Sequence, residues 1–234
     1  MVKKLSLTSE EKLSYLGEWP SLLTESQRQD LCDSLEVLQC SKNEVIYKEG
    51  DLARYLHCLS SGHMRLAYRC PDGRERILSL LHPIHLFGLR PFLARKNHMF
   101  SSSTIDDVIL CRMPNSVVLN IMKHNYDFTH YMNEQAAVST VELERRLLAM
   151  MGKHLRGRMA FILLYIKKCV GYFDRRWIID IGLKREDLAN MADMTTANAI
   201  RTLSAFASEG IISMEHRKII INNLAELERI SQME

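Results

Sequence analysis

The 234-residue, 27.1 kDa chain is long enough for one large domain or two ordinary ones, and its composition, 47% hydrophobic and 25% charged, excludes a disordered polymer. Thirty-one Lys and Arg stand against 28 Asp and Glu, and a net charge of +3 excludes a general polycation that coats nucleic acid or membrane. The surplus is local: 13 Lys and Arg against 10 Asp and Glu lie from Met150 onward, with 18 of each before it, so the C-terminal part is the end suited to an anion such as DNA.

The first segment reads as helical, Glu10 to Leu16, with a break at Gly17 and Pro20 and then a helix from Thr24 to Leu35 opened by a T-x-x-Q capping box, Thr24 and Gln27. From Val37 the pattern turns to short β-rich pieces: Val45 to Tyr47, Tyr55 to Leu59, Met64 to Arg69, Arg76 to Leu81 and Val108 to Met113. Turn signals at Ser41-Lys42-Asn43, Glu49-Gly50-Asp51, Ser60-Ser61-Gly62 and Pro71-Asp72-Gly73 separate them. Such close spacing predicts a small antiparallel barrel or sandwich, because a parallel sheet needs long crossovers.

After Pro114 the period becomes helical, and a long helix is predicted from Asp127 to Gly152. It carries two apolar stripes. Ala136, Thr140, Leu143, Leu147 and Met150 form one; Tyr131, Val138, Val141 and Leu148 form the other, which suits a second surface such as its own copy in a dimer. Beyond Gly152 come a helix from His154 to Lys168, a β-like Trp177 to Ile181, helices Lys184 to Met191 and Thr195 to Glu209, and a hairpin of Ile211 to Met214 and Lys218 to Asn222. Two short helices joined by a tight turn and followed by a hairpin outline a winged helix-turn-helix.

Within that element Leu188, Met191 and Ala192 fall at helical spacing with Ala199, Leu203 and Phe206 to close a shared core, leaving Thr196, Ala197, Ile200, Arg201 and Ser204 on the opposite face. Thr195 stands at the N-cap, where backbone N–H groups favour a phosphate. Thr196, Ala197 and Asn198 would meet base edges in a major groove, with Arg201 one turn behind; Asn pairs bidentately with adenine and Arg with guanine. Arg217 and Lys218 at the hairpin tip suit phosphates.

The six cysteines, Cys32, Cys40, Cys58, Cys70, Cys111 and Cys169, are scattered without a C-x-x-C pair, as expected of thiols in a reducing compartment. No apolar run approaches the roughly 18 residues of a membrane span, and Met1 to Ser9 lacks the apolar stretch of a signal peptide, so a cytoplasmic protein is expected.

The order of barrel, long helix and winged helix-turn-helix resembles the CRP/FNR family of bacterial transcription regulators over residues 20 to 225. The residues that carry the resemblance are Glu49-Gly50-Asp51, Ser61-Gly62-His63, Pro71-Asp72-Gly73-Arg74-Glu75-Arg76-Ile77-Leu78, Phe87-Gly88 and Gly157-Arg158-Met159-Ala160. Each glycine is explicable as a turn position with positive φ. The resemblance implies an α+β chain: an N-terminal double-stranded β-helix (jelly-roll) sensor barrel at 1–126, a dimerisation helix at 127–152 and a winged helix-turn-helix at 153–234. It further implies a homodimer that reads a palindromic operator in double-stranded DNA, with RNA polymerase as a partner and no enzyme activity.

The departures bear on the signal. Cyclic-AMP-binding members of the family carry a Glu for the ribose and an Arg-Ser pair for the cyclic phosphate. Here the loop reads Gly88-Leu89-Arg90-Pro91-Phe92-Leu93, the Arg-Ser positions are Met99-Phe100, and the long helix offers Leu143 and Glu144 where small hydroxyl residues meet the base. A buried phosphate without its cation costs several kcal/mol, which argues against cyclic AMP in the usual pose. Haem stays open as a cofactor, since His57, His63, His82, His85 and His98 are candidate axial ligands, and Arg90, Arg95 and Lys96 supply cations for a different anion. In the helix-turn-helix, Asp193-Met194 and Thr196-Ala197 replace the family's Gly and Arg-Glu, whereas Arg201 matches, so DNA binding with a changed operator is expected. Two rival readings remain: a cupin-like metal-dependent barrel enzyme, whose nearest approach to a ligand set is His82 with His85, and a dimeric regulatory module acting through protein contacts.

Overall fold

The computed structural model describes residues 2–71, 73, 75–170, 177–216 and 218–234; Asp72 and Arg74 of the turn motif lie outside them. A short strand β1 (Lys3–Lys4) and helix α1 (Ser9–Ser14) precede a 3-10 turn at Trp19–Leu22 and helix α2 (Glu25–Ser34). The Thr24 hydroxyl accepts the Gln27 N–H at 3.3 Å and the Gln27 side chain accepts the Thr24 N–H at 3.1 Å, the reciprocal cap that T-x-x-Q predicts.

The strands β2 (Glu36–Cys40), β3 (Val45–Tyr47), β4 (Tyr55–Ser61), β5 (Met64–Arg69), β6 (Glu75–Leu81) and β7 (His85–Phe87) lead to helix α3 (Leu89–Ala94). Strands β8 (Ser101–Thr104) and β9 (Val108–Pro114) complete two sheets, ordered β1-β2-β9-β4-β7 and β3-β8-β5-β6. Between them Leu38, Leu59 and Leu110 of the first sheet meet Met64 and Leu66 of the second in a barrel interior. The other face of β4 and β9, with Leu56, Cys58, Cys111 and Met113, packs on Leu16, Trp19, Leu31, Phe128 and Met132.

Strands β1, β2 and β7 are absent from the predicted pieces, and so are α3 and β8. Helix α3 lies where a loop is predicted, and β8 is hidden because its inward residues are hydroxyls: Ser102 and Thr104 are buried, and the Thr104 hydroxyl accepts the Glu44 N–H and donates to the Ser41 carbonyl at 2.8 and 2.7 Å.

Helices α4 (Asn115–His124), α5 (Tyr126–Gly152) and α6 (Leu155–Val170) follow, then β10 (Trp177–Ile179), α7 (Arg185–Met191), α8 (Thr196–Ser208), β11 (Ile212–Glu215), β12 (Lys218–Ile221) and α9 (Leu224–Met233). The chain divides into two compact units, Met1–Tyr68 with Leu81–Val141 and Arg69–Leu80 with Glu142–Glu234. In the second, β10 and β11 flank β12, and buried Met159, Ile162, Leu163 and Ile166 of α6 lie in the core with Leu227 and Ile230 of α9. No helix among the described residues is long and apolar enough to cross a membrane.

Three readings are corrected. The inward stripe on α5 is broken, because Leu147 is 59% exposed and the buried side chains on that turn are Arg146 and Ala149. Gly157 is no turn: it lies inside α6, where a Cβ would come within 2.4 Å of the Glu234 backbone, so it is glycine for the close approach of α9. Helix α9, absent from the predicted elements, is capped by Asn223, whose side chain accepts the Glu226 N–H at 3.0 Å.

Candidate nucleic-acid interface

The helix pair α7 and α8 closes as its pattern predicts. Leu188, Met191, Ala192, Ala199, Leu203 and Phe206 are all buried, and the chain turns between the helices at Asp193 with φ 48°. A left-handed conformation is tolerable for Asp, and its surroundings favour it. The carboxylate lies 3.5 Å from Arg76 of β6 and 3.8 Å from Arg158 of α6, and the Arg158 guanidinium also donates to the Asp193 carbonyl at 3.2 Å.

Thr195 caps α8, its hydroxyl accepting the Asn198 N–H at 3.2 Å. Thr195, Thr196, Ala197, Ile200, Arg201 and Ser204 are exposed on one face of the helix and Asn198 is half-buried beside them. The Arg201 guanidinium donates to the Asn198 side-chain oxygen at 2.5 Å, so the two residues with the most base-reading capacity already act as a pair. On the wing Lys218 is held by Asp180 at 2.8 Å, and the resulting hydrogen bond raises its pKa. Its partner at the tip, Arg217, lies outside the described residues. Arg185, in the first turn of α7 and donating to the Met214 sulfur at 3.3 Å, is a further cation beside the wing that the sequence pattern does not single out.

Arg146 ties this element to β6. It is 9% exposed, and its guanidinium donates to the carbonyls of Leu78, of Ile77 at 2.8 Å and of Met191 at 3.0 Å, the last residue of α7. Burial lowers its pKa, and the Tyr165 ring lies 5.6 Å from the cation. The Tyr165 hydroxyl accepts the Leu80 N–H at 2.9 Å, so β6 is gripped twice. The α7 C-terminus is where a cation meets the negative end of the helix dipole.

The dimer candidates on α5 differ in exposure: Val138, Val141 and Leu148 are 52%, 43% and 68% exposed, with Leu147 and Met151 beside them, whereas Tyr131 is half-buried against the first unit's core. Among the effector candidates, Gly88 caps α3 with φ 80°, Leu89 is buried, Met99 is 68% exposed and Phe100 packs against the barrel core. Arg90 is half-buried and desolvation lowers its pKa. Leu143 is half-buried and Glu144 exposed on α5.

The histidines separate by environment. His63 is bound to Asp106 at 2.8 Å and His82 bonds the Pro83 carbonyl at 3.1 Å, while the His82 and His85 rings meet edge-on at 5.1 Å. Among the described residues no group of three or more His, Cys, Asp or Glu gathers as a metal site. His57 and His98 are buried in the barrel, and desolvation lowers both pKa values, that of His57 to about 3. The unfolded chain takes up a proton near pH 6.5 that folded His57 refuses. The stability that neutral His57 contributes is therefore full well above pH 6.5 and is lost as the pH falls toward about 3, with about 2 kcal/mol gone by pH 5. Thermal melts at pH 7.5 and 5 should show a smaller acid loss for His57→Gln than for the parent chain; equal losses would contradict the assignment.

A barrel of the cyclic-nucleotide-binding type joined to a winged helix-turn-helix defines a signal-responsive DNA-binding regulator. Residues 37–125 match the cyclic nucleotide-binding domain family and residues 157–230 the Crp-like helix-turn-helix domain family. The chain belongs to the CRP/FNR family of transcription regulators. It is 25% identical to the cyclic AMP receptor protein of Thermus thermophilus over 81% of this chain and 85% of that one. It is 21% identical to the CRP-like cAMP-activated global transcriptional regulator of Mycobacterium tuberculosis over 85% and 89%. The structure of FixK2 from Bradyrhizobium japonicum superposes with a TM-score of 0.76 at 21% identity, covering 84% of this chain and 96% of that one.

Proposed function

We propose that this regulator reads a palindromic operator as a homodimer, inserting α8 of each subunit into the major groove so that Thr196, Ala197, Asn198 and Arg201 face base edges. The observation that carries the reading is the division of α8: one face is buried in the helix-turn-helix core, and the other presents exposed polar residues at the helix N-terminus. Thr195, Arg217 and Lys218 contact phosphates, and Lys218 must exchange Asp180 for a phosphate when it does so. The α5 residues Val138, Val141 and Leu148, with Tyr131 at the edge, form the seam between subunits; Tyr131 and Val138, like Val141 and Leu148, are seven residues apart, the repeat of a coiled-coil contact.

The effector is not a cyclic nucleotide in the usual pose. The position that would supply the phosphate's cation is an exposed methionine, Met99, and the loop from Gly88 to Leu93 holds no carboxylate for the ribose. RNA polymerase is the expected partner of a regulator of this class, the chain acts where the bacterial chromosome lies, in the cytoplasm, and it has no catalytic role. The three-part division 1–126, 127–152 and 153–234 describes sensor, dimer helix and DNA reader.

Arg201→Ala tests the reading, because it removes an exposed side chain without touching the core. It should weaken specific binding by about 1–3 kcal/mol and relax the preference at one base position in each half-site. Affinities across a set of singly mutated operators report both; an unchanged preference profile would remove Arg201 from the reading face.

A further inference from the structure

We infer that each operator half-site holds a thymine that α8 selects by its 5-methyl group, through Ile200 and Ala197, beside a guanine taken by Arg201, and that Asn198 positions Arg201 instead of reading adenine. The inference rests on the proposal that α8 lies in the major groove and deepens it to the bases read. At about 100° per residue, the outward face of α8 divides into two halves. Ala197 and Ile200, three residues apart and about 60° apart around the axis, make one half; Asn198 and Arg201, at the same spacing, make the other.

The first half is apolar. Ile200 is 48% exposed and Ala197 is exposed beside it, whereas Ala199, Leu203 and Phe206 close the helix-turn-helix core from the opposite side. An isoleucine suits a solvated helix face poorly, because its β-branch lowers helix propensity and its apolar surface stays in water. In a major groove the same surface has a partner. Thymine is the base that carries an apolar group there, the C5-methyl, and small apolar side chains recognise it. Ala197, whose side chain is a single methyl group, lets the helix backbone come close, so that the branched end of Ile200 reaches the base edge.

The second half is made of donors. A guanidinium has no acceptor, so the amide atom that meets Arg201 at 2.5 Å is the Asn198 oxygen. A bidentate grip on adenine needs the amide oxygen and nitrogen aimed together at one base edge. With its oxygen turned along the helix to Arg201, Asn198 directs only N–H donors elsewhere. Arg201 uses one N–H in that bond and keeps the rest for the O6 and N7 acceptors of guanine. Asn198 is itself anchored, half-buried and with its backbone N–H capped by Thr195 at 3.2 Å, so the arginine it holds loses less freedom on binding. One half therefore calls for an acceptor-rich guanine edge and the other for a methyl group, and the two are read side by side.

The test uses the full chain and an operator duplex that it recovers from a random pool. Each thymine of the half-sites is replaced in turn by uracil, which keeps the base pair and removes only the methyl group. One thymine position per half-site should respond, with affinity about fourfold lower for one replacement and about fifteenfold lower when both half-sites carry it, as burial of one methyl group in each predicts. Ile200→Ala, at an exposed position, should bind the thymine and uracil operators within about twofold of each other, and Ile200→Val should keep most of the discrimination. Asn198→Ala should lower the preference for guanine about threefold at the position that Arg201→Ala relaxes, and weaken no preference for adenine. A two-fold motif that tolerates uracil at every position, or a uracil penalty unchanged in Ile200→Ala, overturns the thymine assignment while the groove reading stands. Loss of an adenine preference in Asn198→Ala overturns the role given to Asn198. Recovery of no two-fold motif removes the groove reading and this inference together.

Discussion

Replacing Arg146 with alanine is expected to lower the free energy of unfolding by about 3–5 kcal/mol, because one buried guanidinium holds three backbone carbonyls and hydrogen bonds from a charged donor contribute about 1.5–3 kcal/mol each. The substitution leaves the carbonyls of Ile77, Leu78 and Met191 without that donor and removes the side chain that fills the space between them. Part of the loss is recovered if water enters, which keeps the expected value below the sum of the bonds. The consequence reaches the DNA reader. Met191 ends α7 and stands two residues before the Asp193 turn into α8, so the angle at which α8 is presented depends on the grip. Urea unfolding monitored together with hydrogen exchange should show both the lower stability and faster exchange of the Leu80 and Met194 amides, which bond the Tyr165 hydroxyl and the Ala189 carbonyl. A loss under about 1 kcal/mol with unchanged exchange would mean that the guanidinium is dispensable. Arg146→Lys, which keeps the charge but reaches fewer carbonyls, should fall between the two.

A glutamate at Val138 or Val141 is expected to convert the dimer to monomers at micromolar concentration and to reduce operator affinity by about a hundredfold or more. Both positions are exposed in the single chain, so neither change disturbs the fold, while symmetry brings two carboxylates to one seam at a cost of several kcal/mol. Affinity follows because two linked half-site contacts gain about 10²–10⁴ over one, and a monomer forfeits that gain. Sedimentation velocity and operator titration of the same preparation check the two effects together. An intact dimer at micromolar protein would remove these residues from the interface.

The parts of this chain that were legible are those where one residue type has one physical use. Thr24 and Gln27 announce a cap, and Leu188, Ala199, Leu203 and Phe206 at helical spacing announce a shared core. The turns at Gly50, Gly62, Gly73 and Gly88 all have positive φ. The parts that were not legible depend on long-range placement. Arg146 on a charged helix face reads as solvated, and only the approach of β6 and α7 buries it. Ser102 and Thr104 are polar in sequence yet buried in a strand, because Thr104 bonds backbone from the neighbouring segment. His57 sits in an apolar strand whose alternation puts it beside Leu59 on the barrel side, but nothing local says that its Nδ1 lacks a partner among the described residues. The Gly157 position looks like any turn glycine until α9 is seen to pack on it.

The claim on which the rest stands is that α8 enters DNA twice, from two symmetric subunits. Selection of duplexes from a random pool by the purified full chain tests it most directly. The account predicts recovered sequences with two inverted half-sites whose centres are about 10–10.5 base pairs apart or a multiple of that, and loss of base preference at symmetric positions when Arg201→Ala is used in the same selection. A folded, dimeric protein that recovers no two-fold motif, at low salt as well as at moderate salt, would contradict it.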